Sequence, residues 1–486
     1  MLSEYTLPRS APEEQGIASS AILAFLDAVE KEGLELHGLM LLRHGYVTAE
    51  GWWAPYGPGH PHMLFSLTKS FTSTAVGFAV SEGLLNIEDP VISFFTEQVT
   101  EPVNAQLASM RVKNLLTMSA GHASPIMGAE WRQTQGDWVS YFLNKTMDHP
   151  PGTKFMYNSG ASYMLSAIVQ KVSGQTLLNY LRPRLFEPLG IHASAWDTCP
   201  SGNNTGGWGL SLKTEDLARF GQFYLQKGMW NGKQLLPESW IEAATSYQIS
   251  SGSDKPSDSQ QGYGYQFWRS RHNTYRADGK FGQFCVVMPE QDAVIAIHGG
   301  LENMQAVLNL IWKHLLSAME DHSLEENKQF YSLLQTRLHR LTMLPPKLQA
   351  SSPIAEQVSG KYFVPEENDD QIKGIKFMFR EDGCTFALED HRGEHRIQCG
   401  VNTWLMGDTT MSGRSLHHQY EPPVMRVAAS GTWHDDHTYV MTWCFTETPF
   451  IDTVVCRFDE NKLRLERSVN VNSEAKHRPP VLAAWT

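Results

Sequence analysis

Phe65-Ser66-Leu67-Thr68-Lys69-Ser70 begins a run of helical character that extends to Leu85. In a helix, side chains three positions apart share a face, so the Lys69 amine reaches the Ser66 hydroxyl. As an ammonium it stabilises an alkoxide there, and as a free amine it takes the serine proton. Ser66 is also expected in the first turn of its helix, where free N–H groups and the positive end of the dipole favour a developing oxyanion. The spacing alone is common by chance, and a helix-capping serine with a surface lysine would produce it equally well. A second copy, Ser473 and Lys476, lies in a polar, proline-flanked tail with no helix to order it and is read as a coincidence.

Further along, Pro151-Gly152-Thr153-Lys154-Phe155-Met156-Tyr157-Asn158-Ser159-Gly160 reads as a loop entering an apolar helix. A tyrosine beside a lysine ammonium is expected to lose proton affinity and to serve as a general base, unless Tyr157 is simply a buried, hydrogen-bonded phenol. A third stretch, Tyr275-Arg276-Ala277-Asp278-Gly279-Lys280-Phe281-Gly282-Gln283, leads into the strand Phe284–Met288. Glycines there would let a substrate approach a strand edge whose N–H groups can donate to an acyl oxygen.

Periodicity organises the chain around these stretches. Ile22, Phe25, Leu26 and Val29 mark a helix capped by Ser20, and Leu39–Leu42 with Tyr46–Trp53 form a hairpin. Helices broken by Gly and Pro fill residues 86–200, a further helix runs from Thr214 to Gly228, and Ser250–Gly262 is a loop. Phe284–Met288 and Ala293–His298 form a second hairpin before a helix at Met304–Met319. This order predicts an α+β fold: one antiparallel sheet shared by the two ends of residues 1–320, flanked by helices, with a helical lobe between. A linker follows at 321–350, and 351–486 reads as a separate all-β domain, from alternating segments such as Lys376–Phe379, Tyr439–Phe445 and Val454–Phe458.

The 486 residues fit two to three domains. A net charge of −12, from 40 basic against 52 acidic residues, argues against nucleic acid as a partner. No apolar run reaches the ~20 residues of a membrane span, and the first residues lack a signal-peptide pattern, so a soluble, cytoplasmic protein is expected. The six cysteines show no metal-ligand spacing and no His-Glu-x-x-His occurs, so free buried thiols and neither a structural zinc nor a zinc hydrolase are expected.

Taken together, Ser66-x-x-Lys69, Tyr157-x-Ser159 and the Gly279-x-x-Gly282 strand resemble, in order and broad spacing, the motifs of the serine β-lactamase and penicillin-binding-protein superfamily. The branch most similar is that of class C β-lactamases and related serine esterases, D-amino-acid peptidases and amide hydrolases. Leu115-Leu116-Thr117-Met118-Ser119-Ala120-Gly121 is similar to its "LLTHTSG" segment, and Phe186-Glu187-Pro188-Leu189-Gly190 to its "PLG" helix end, so the resemblance covers about residues 5–320. It implies the β-lactamase-like fold, with Ser66 as acylated nucleophile, Lys69 as its activator and Tyr157 as proton shuttle. Backbone N–H groups of Ser66 and of the strand near Gly279 and Gly282 would make the oxyanion hole, Ser159 would orient Lys69 or hold the substrate, and no metal or organic cofactor would be required.

The chain departs from the superfamily's Lys-Thr-Gly or His-x-Gly motif, because Ala277-Asp278 precede Gly279. An acidic residue there repels a substrate carboxylate. His298, in His298-Gly299-Gly300, and Lys280 are the two residues able to supply the missing cation; hairpin geometry puts His298 opposite about residue 283. Among aromatic residues for an acyl pocket (Trp52, Trp53, Trp131, Trp208, Trp268), Trp208 stands out beside Gly206, Gly207 and Gly209. The expected function is therefore a serine hydrolase acting through an acyl-enzyme on small-molecule carboxylic esters or small amides. The alternatives are a β-lactamase or D-Ala peptidase and a non-catalytic binding protein that kept the fold. The C-terminal domain is read as a packing domain, a cap on the cleft, a surface for homo-oligomerisation or a polymer-binding module.

Overall fold

The computed structural model describes residues 6–99, 102–126, 135–192 and 195–485. Trp131 lies outside them. The chain divides into two compact units, residues 1–52 with 58–341, and residues 53–57 with 342–486.

The first unit is built on a six-stranded antiparallel sheet in the order Tyr46–Trp52, Leu36–Arg43, Ala293–Gly299, Gln283–Met288, Tyr275–Gly279, Trp268–Arg269. Strands from the two ends of the unit thus sit side by side at the sheet centre. Leu36–Arg43 is buried along its whole length, as a central strand covered on both faces must be. The helix Ser19–Lys31 buries Ile22, Phe25, Leu26 and Val29, the stripe that predicted it. Ser20 is not its cap; the first turn is held instead by Glu13, whose Oε1 accepts from the Ser19 N–H at 2.7 Å. The helix Lys328–His339 belongs to this unit and buries Leu334 and Leu338.

Between the two ends of the sheet lies the helical part, with Thr68–Ser81 and Ser159–Ser173 packed together at its centre. Nearly every residue of Thr68–Ser81 is buried, Lys69 included. That helix has little amphipathic contrast because it is surrounded, which is why it reads as a continuous run rather than a stripe.

The second unit is a closed barrel. Nine strands (Tyr362–Pro365, Gly374–Arg380, Gly383–Asp390, Gly393–Val401, Met425–Trp433, Thr438–Cys444, Ile451–Asp459, Lys462–Val469, Val481–Ala484) pair in a ring, with Leu405–Thr409 added beside Met425–Trp433. Val481–Ala484 pairs with both Lys462–Val469 and Tyr362–Pro365, and a short parallel pairing of Gly400 and Val401 with Ser430 and Gly431 completes closure. Closure removes the exposed edges that an open sheet of this size would carry. The six cysteines are free and buried, two in the first unit and four in the barrel.

Candidate functional site

The backbone leading to Ser66 is unusual. Phe65 has φ 49, a left-handed conformation that costs a side-chain-bearing residue free energy unless its surroundings fix it. Phe65–Leu67 form a single tight 3₁₀ turn, and the α-helix proper starts at Thr68. Ser66 therefore stands on a turn just ahead of the helix expected to hold it, with its side chain partly exposed while its neighbours Phe65 and Leu67 are buried.

Lys69 Nζ lies 2.9 Å from Ser66 Oγ, 3.1 Å from Ser159 Oγ and 2.8 Å from the Gly207 carbonyl oxygen. Ser159 opens the helix Ser159–Ser173, whose Asn158 cap accepts from the Gly160 and Ile126 N–H groups. Gly207 is presented by a loop in which Gly206 has φ 66, and Thr72, one turn beyond Lys69, donates to the Gly206 carbonyl at 2.7 Å. One helix thus fixes both serines' lysine and the loop that receives it.

Burial pushes the Lys69 ammonium down to about 7, against an opposing pull from Asp278. This makes the lysine close to half-deprotonated at neutral pH. The three contacts then become informative. An ammonium has three hydrogens and satisfies all three oxygens by donation. A neutral amine has two, one of which must go to the Gly207 carbonyl, because that oxygen can only accept. The remaining hydrogen and the lone pair are left for the two hydroxyls, and with Ser159 receiving the hydrogen, the lone pair is free to take the proton of Ser66.

Tyr157 hydrogen-bonds Ser66, and the Lys69 amine sits 4.9 Å from the centre of its ring. Its phenol is not acidified, contrary to the sequence expectation. Burial raises it well above the ordinary phenol range despite the Ser66 hydrogen bond. The physical reason is that desolvation penalises every charged form, phenolate and ammonium alike, which raises the phenol and lowers the ammonium. Tyr157 packs against Trp268, with rings 5.4 Å apart and 25° from parallel, in a cluster with Phe155 and Tyr263.

The strand Tyr275–Gly279 passes the Ser66 turn so closely that a Cβ on Gly279 would lie 2.0 Å from the Leu64 carbonyl oxygen. Its outer neighbour, Trp268–Arg269, covers only Tyr275 and Arg276, so the Asp278–Gly279 end of that edge lies beyond strand pairing on that side. Gly282 takes φ 87 in the turn that follows. Asp278 is not an isolated negative charge. Arg276, buried and on the same face two residues away, donates to its Oδ2 from Nε at 2.9 Å, and its Nη2 lies 2.8 Å from the same oxygen. The local field is that of an ion pair with its negative end towards Lys69.

His298, Lys280 and Trp208 do not join the group. His298 is buried, stacks on His62 at 4.7 Å and bonds Gln283 Oε1 at 3.1 Å, in an imidazole cluster with His37; burial pushes both His37 and His298 well below the ordinary imidazole range. Lys280 Nζ lies 5.4 Å from the Phe281 ring centre. The Trp208 ring packs in the core beside Trp138, and what its loop contributes is the Gly207 carbonyl. Sequence reasoning also missed Gln266, buried at φ 63, which accepts from Ser70 and Ser162 and donates to the Leu115 and Leu116 carbonyls. It ties both helices of the site to the segment Leu115–Gly121 resemblance had singled out. Among the described residues no cluster of His, Cys, Asp and Glu could hold a metal ion, and no helix is long and apolar enough to cross a membrane.

Comparison with known proteins places this geometry. The chain is 25% identical over 249 residues to the 6-aminohexanoate-dimer hydrolase of Paenarthrobacter ureafaciens, covering 48% of this chain and 64% of that protein. It is 26% identical over 177 residues to a β-lactamase of Yersinia enterocolitica, covering 36% and 42%. It therefore spans between about two fifths and two thirds of the length of these curated relatives. A solved structure from Bacillus anthracis, provisionally named a 6-aminohexanoate-dimer hydrolase, superposes with a TM-score of 0.54 at 19% identity, over 66% of this chain and 89% of that one. These relatives are hydrolases, and the family model described as Beta-lactamase matches residues 26–300, which span the Ser66 turn, Lys69, Tyr157 and the Gly279 strand. With more than half its residues matched by that model, the chain belongs to the Beta-lactamase family.

Proposed function

We propose that this protein is a serine hydrolase that cleaves carboxylic esters or small amides through a covalent acyl-enzyme. The observation that carries this reading is the 2.9 Å contact between Lys69 Nζ and Ser66 Oγ at a site that pushes the lysine down to about 7. In this mechanism Ser66 Oγ attacks the carbonyl carbon as its proton passes to the neutral Lys69. The N–H groups of Ser66 and of the strand end near Gly279 stabilise the oxyanion. The tetrahedral species collapses as the Tyr157 hydroxyl protonates the leaving oxygen or nitrogen and is itself reprotonated from Lys69. Water then attacks the acyl carbon as Lys69 takes its proton, and when the tetrahedral species collapses Lys69 returns that proton to Ser66 Oγ, so that the acid leaves and both groups regain their starting forms.

Esters and simple amides are favoured over β-lactams and D-Ala peptides by Asp278. Those substrates carry a carboxylate close to the scissile bond, where the negative end of the Arg276–Asp278 pair lies. The relative named for hydrolysis of a 6-aminohexanoate dimer is consistent with this preference.

The test is hydrolysis of p-nitrophenyl butyrate and nitrocefin side by side by the wild type and Ser66→Ala, with mass spectrometry of the quenched wild-type reaction. Ester turnover that needs Ser66, with butyryl mass on the Ser66 peptide and little nitrocefin turnover, is expected. Faster nitrocefin turnover would move the assignment to β-lactams, and absence of any acylated serine would sink the mechanism.

A further inference from the structure

The strand that ends at Gly279 and the strand that begins at Gln283 are joined by Lys280, Phe281 and Gly282 alone, with Gly279 and Gln283 as the last paired rung. The reversal uses two successive left-handed residues, Phe281 at φ 64 and Gly282 at φ 87. Glycine adopts such angles readily, whereas phenylalanine keeps them only where its surroundings fix them. Across the gap the same condition holds at Phe65, at φ 49, one residue before Ser66. The Phe65 and Phe281 rings meet edge to face with centroids 5.5 Å apart. Two strained turns, one carrying Ser66 and the other closing the Gly279 strand, thus lean on each other.

The second turn is fixed by the side chain of Gln283, which is fully buried. Its Nε2 donates to the Lys280 and Phe281 carbonyls, both at 3.3 Å, and to the Gly299 carbonyl at 2.8 Å. Three carbonyl oxygens around one nitrogen settle the orientation of the amide, because those oxygens can only accept. Oε1 therefore faces His298 Nδ1, 3.1 Å away, as an acceptor, and His298 carries a proton on Nδ1. The imidazole is steadied in turn by its stack on His62, with centroids 4.7 Å apart and rings 16° from parallel, and His62 stands four residues before Ser66. Gln283 also packs directly on the strand end: a Cβ at Gly279 would lie 3.1 Å from the Gln283 Cβ. One side chain thus bridges the turn, the end of Ala293–Gly299 and, through two imidazoles, the segment leading to Ser66.

We propose that Gln283, oriented by His298, is a positioning residue that holds the Gly279 strand end at the distance from Ser66 at which N–H groups of both turns converge on the oxyanion. The inference rests on the serine-hydrolase reading for that oxyanion. Both side chains are buried and act through the backbone of the turn. Because the oxyanion forms only as the carbonyl carbon becomes tetrahedral, a displaced donor penalises the transition state more than the bound substrate, and the loss falls on kcat.

The experiment uses the full chain with p-nitrophenyl butyrate and with 1,1,1-trifluoro-2-hexanone, a ketone that a nucleophilic serine adds to as a hemiketal whose oxygen takes the oxyanion position. Gln283→Met keeps the volume and removes the hydrogen bonds. It should lower kcat by about 10²-fold with KM within about threefold, and raise Ki for the ketone by the factor by which kcat/KM falls. His298→Leu should cost about tenfold in kcat. His298→Asn, whose amide nitrogen can stand where Nδ1 does, should recover kcat to within about threefold of wild type. A merely structural role would lower the unfolding midpoint without moving Ki. Gln283→Met can fail to fold, and the His298 pair then decides. Unchanged kcat and Ki in His298→Leu overturns the proposal, and so does an equal loss in His298→Leu and His298→Asn. Amide hydrogen exchange at residues 280–282 separates the two readings. Exchange about tenfold faster in His298→Leu but not in His298→Asn, in a protein whose wild type neither hydrolyses the ester nor binds the ketone, keeps Gln283 as the residue that holds the turn and removes the hydrolase reading. Ser66-dependent turnover with kcat, Ki and exchange all unaltered in His298→Leu does the reverse.

Discussion

Each unit of this protein buries a charged centre, and the two are handled in opposite ways. In the barrel, Asp452 is fully buried between His417, whose Nε2 lies 2.8 Å from Oδ1, and Arg467, whose Nε donates to Oδ2 at 2.7 Å. Burial alone would raise this carboxyl, but Arg467 and His417 overcome the effect and hold it below the usual carboxylate range. In the first unit Lys69 is equally buried, yet its three neighbours are neutral oxygens and the nearest carboxylate acts only through space. Pairing keeps the buried carboxylate charged, whereas the lysine, with no counter-ion bonded to it, is pushed towards its neutral form. Its proton is held weakly because burial outweighs the through-space pull of Asp278 and the three neutral acceptors.

The sharpest way to break this contrast is at Ser66. Ser66→Ala should lower ester kcat/KM by ~10⁴-fold or more, measured with p-nitrophenyl butyrate, since the covalent route is lost entirely. Lys69→Ala and Tyr157→Phe should each cost roughly 10²–10⁴-fold in kcat; near-normal turnover by Lys69→Ala would show that the buried amine is not the base. The wild-type pH profile carries the same information. In the mechanism proposed above the free amine is the base, so kcat/KM should rise with pH through about 7 and then level off.

In the barrel the expected loss is of stability. Asp452→Ala leaves His417 and Arg467 without their shared partner and should destabilise the unit by about 3–5 kcal/mol, read as a lower unfolding midpoint in urea. A smaller effect is expected from Asp278→Asn, which removes the negative charge that supports the Lys69 ammonium. The lysine should deprotonate more readily, and the rising limb of the profile should move to lower pH. A shift to higher pH would mean that Asp278 does not act on Lys69. Ser473→Ala should change nothing, and a large loss there would mean that the other Ser-x-x-Lys is the functional one.

Much of this arrangement was legible in the sequence, for reasons of period and spacing. The helix Ser19–Lys31, the two hairpins of the sheet and the alternating strands of the barrel follow from apolar repeats, and the pairing of Ile297 with Phe284 puts His298 near Gln283 as hairpin arithmetic requires. Ser66, Lys69, Tyr157 and Ser159 were found together because their relations are either local or carried by short motifs. What stayed hidden was of another kind. The Gly207 carbonyl has no side chain to signal it, and Gln266 matters through bonds to residues far away in the chain. The direction of the Tyr157 shift depended on how deeply the pair is buried, which spacing does not reveal. One miss had a visible signal: residues two apart on a strand share a face, so Arg276 was readable as the partner of Asp278.

The contact between Gly279 and the Leu64 carbonyl oxygen also acts as a gauge. Even a single methyl group there would have to displace either the strand end or the turn that carries Ser66. The gap between the strand end and the turn is therefore calibrated by the absence of an atom, and its width is written into the chain at a position that has no side chain at all.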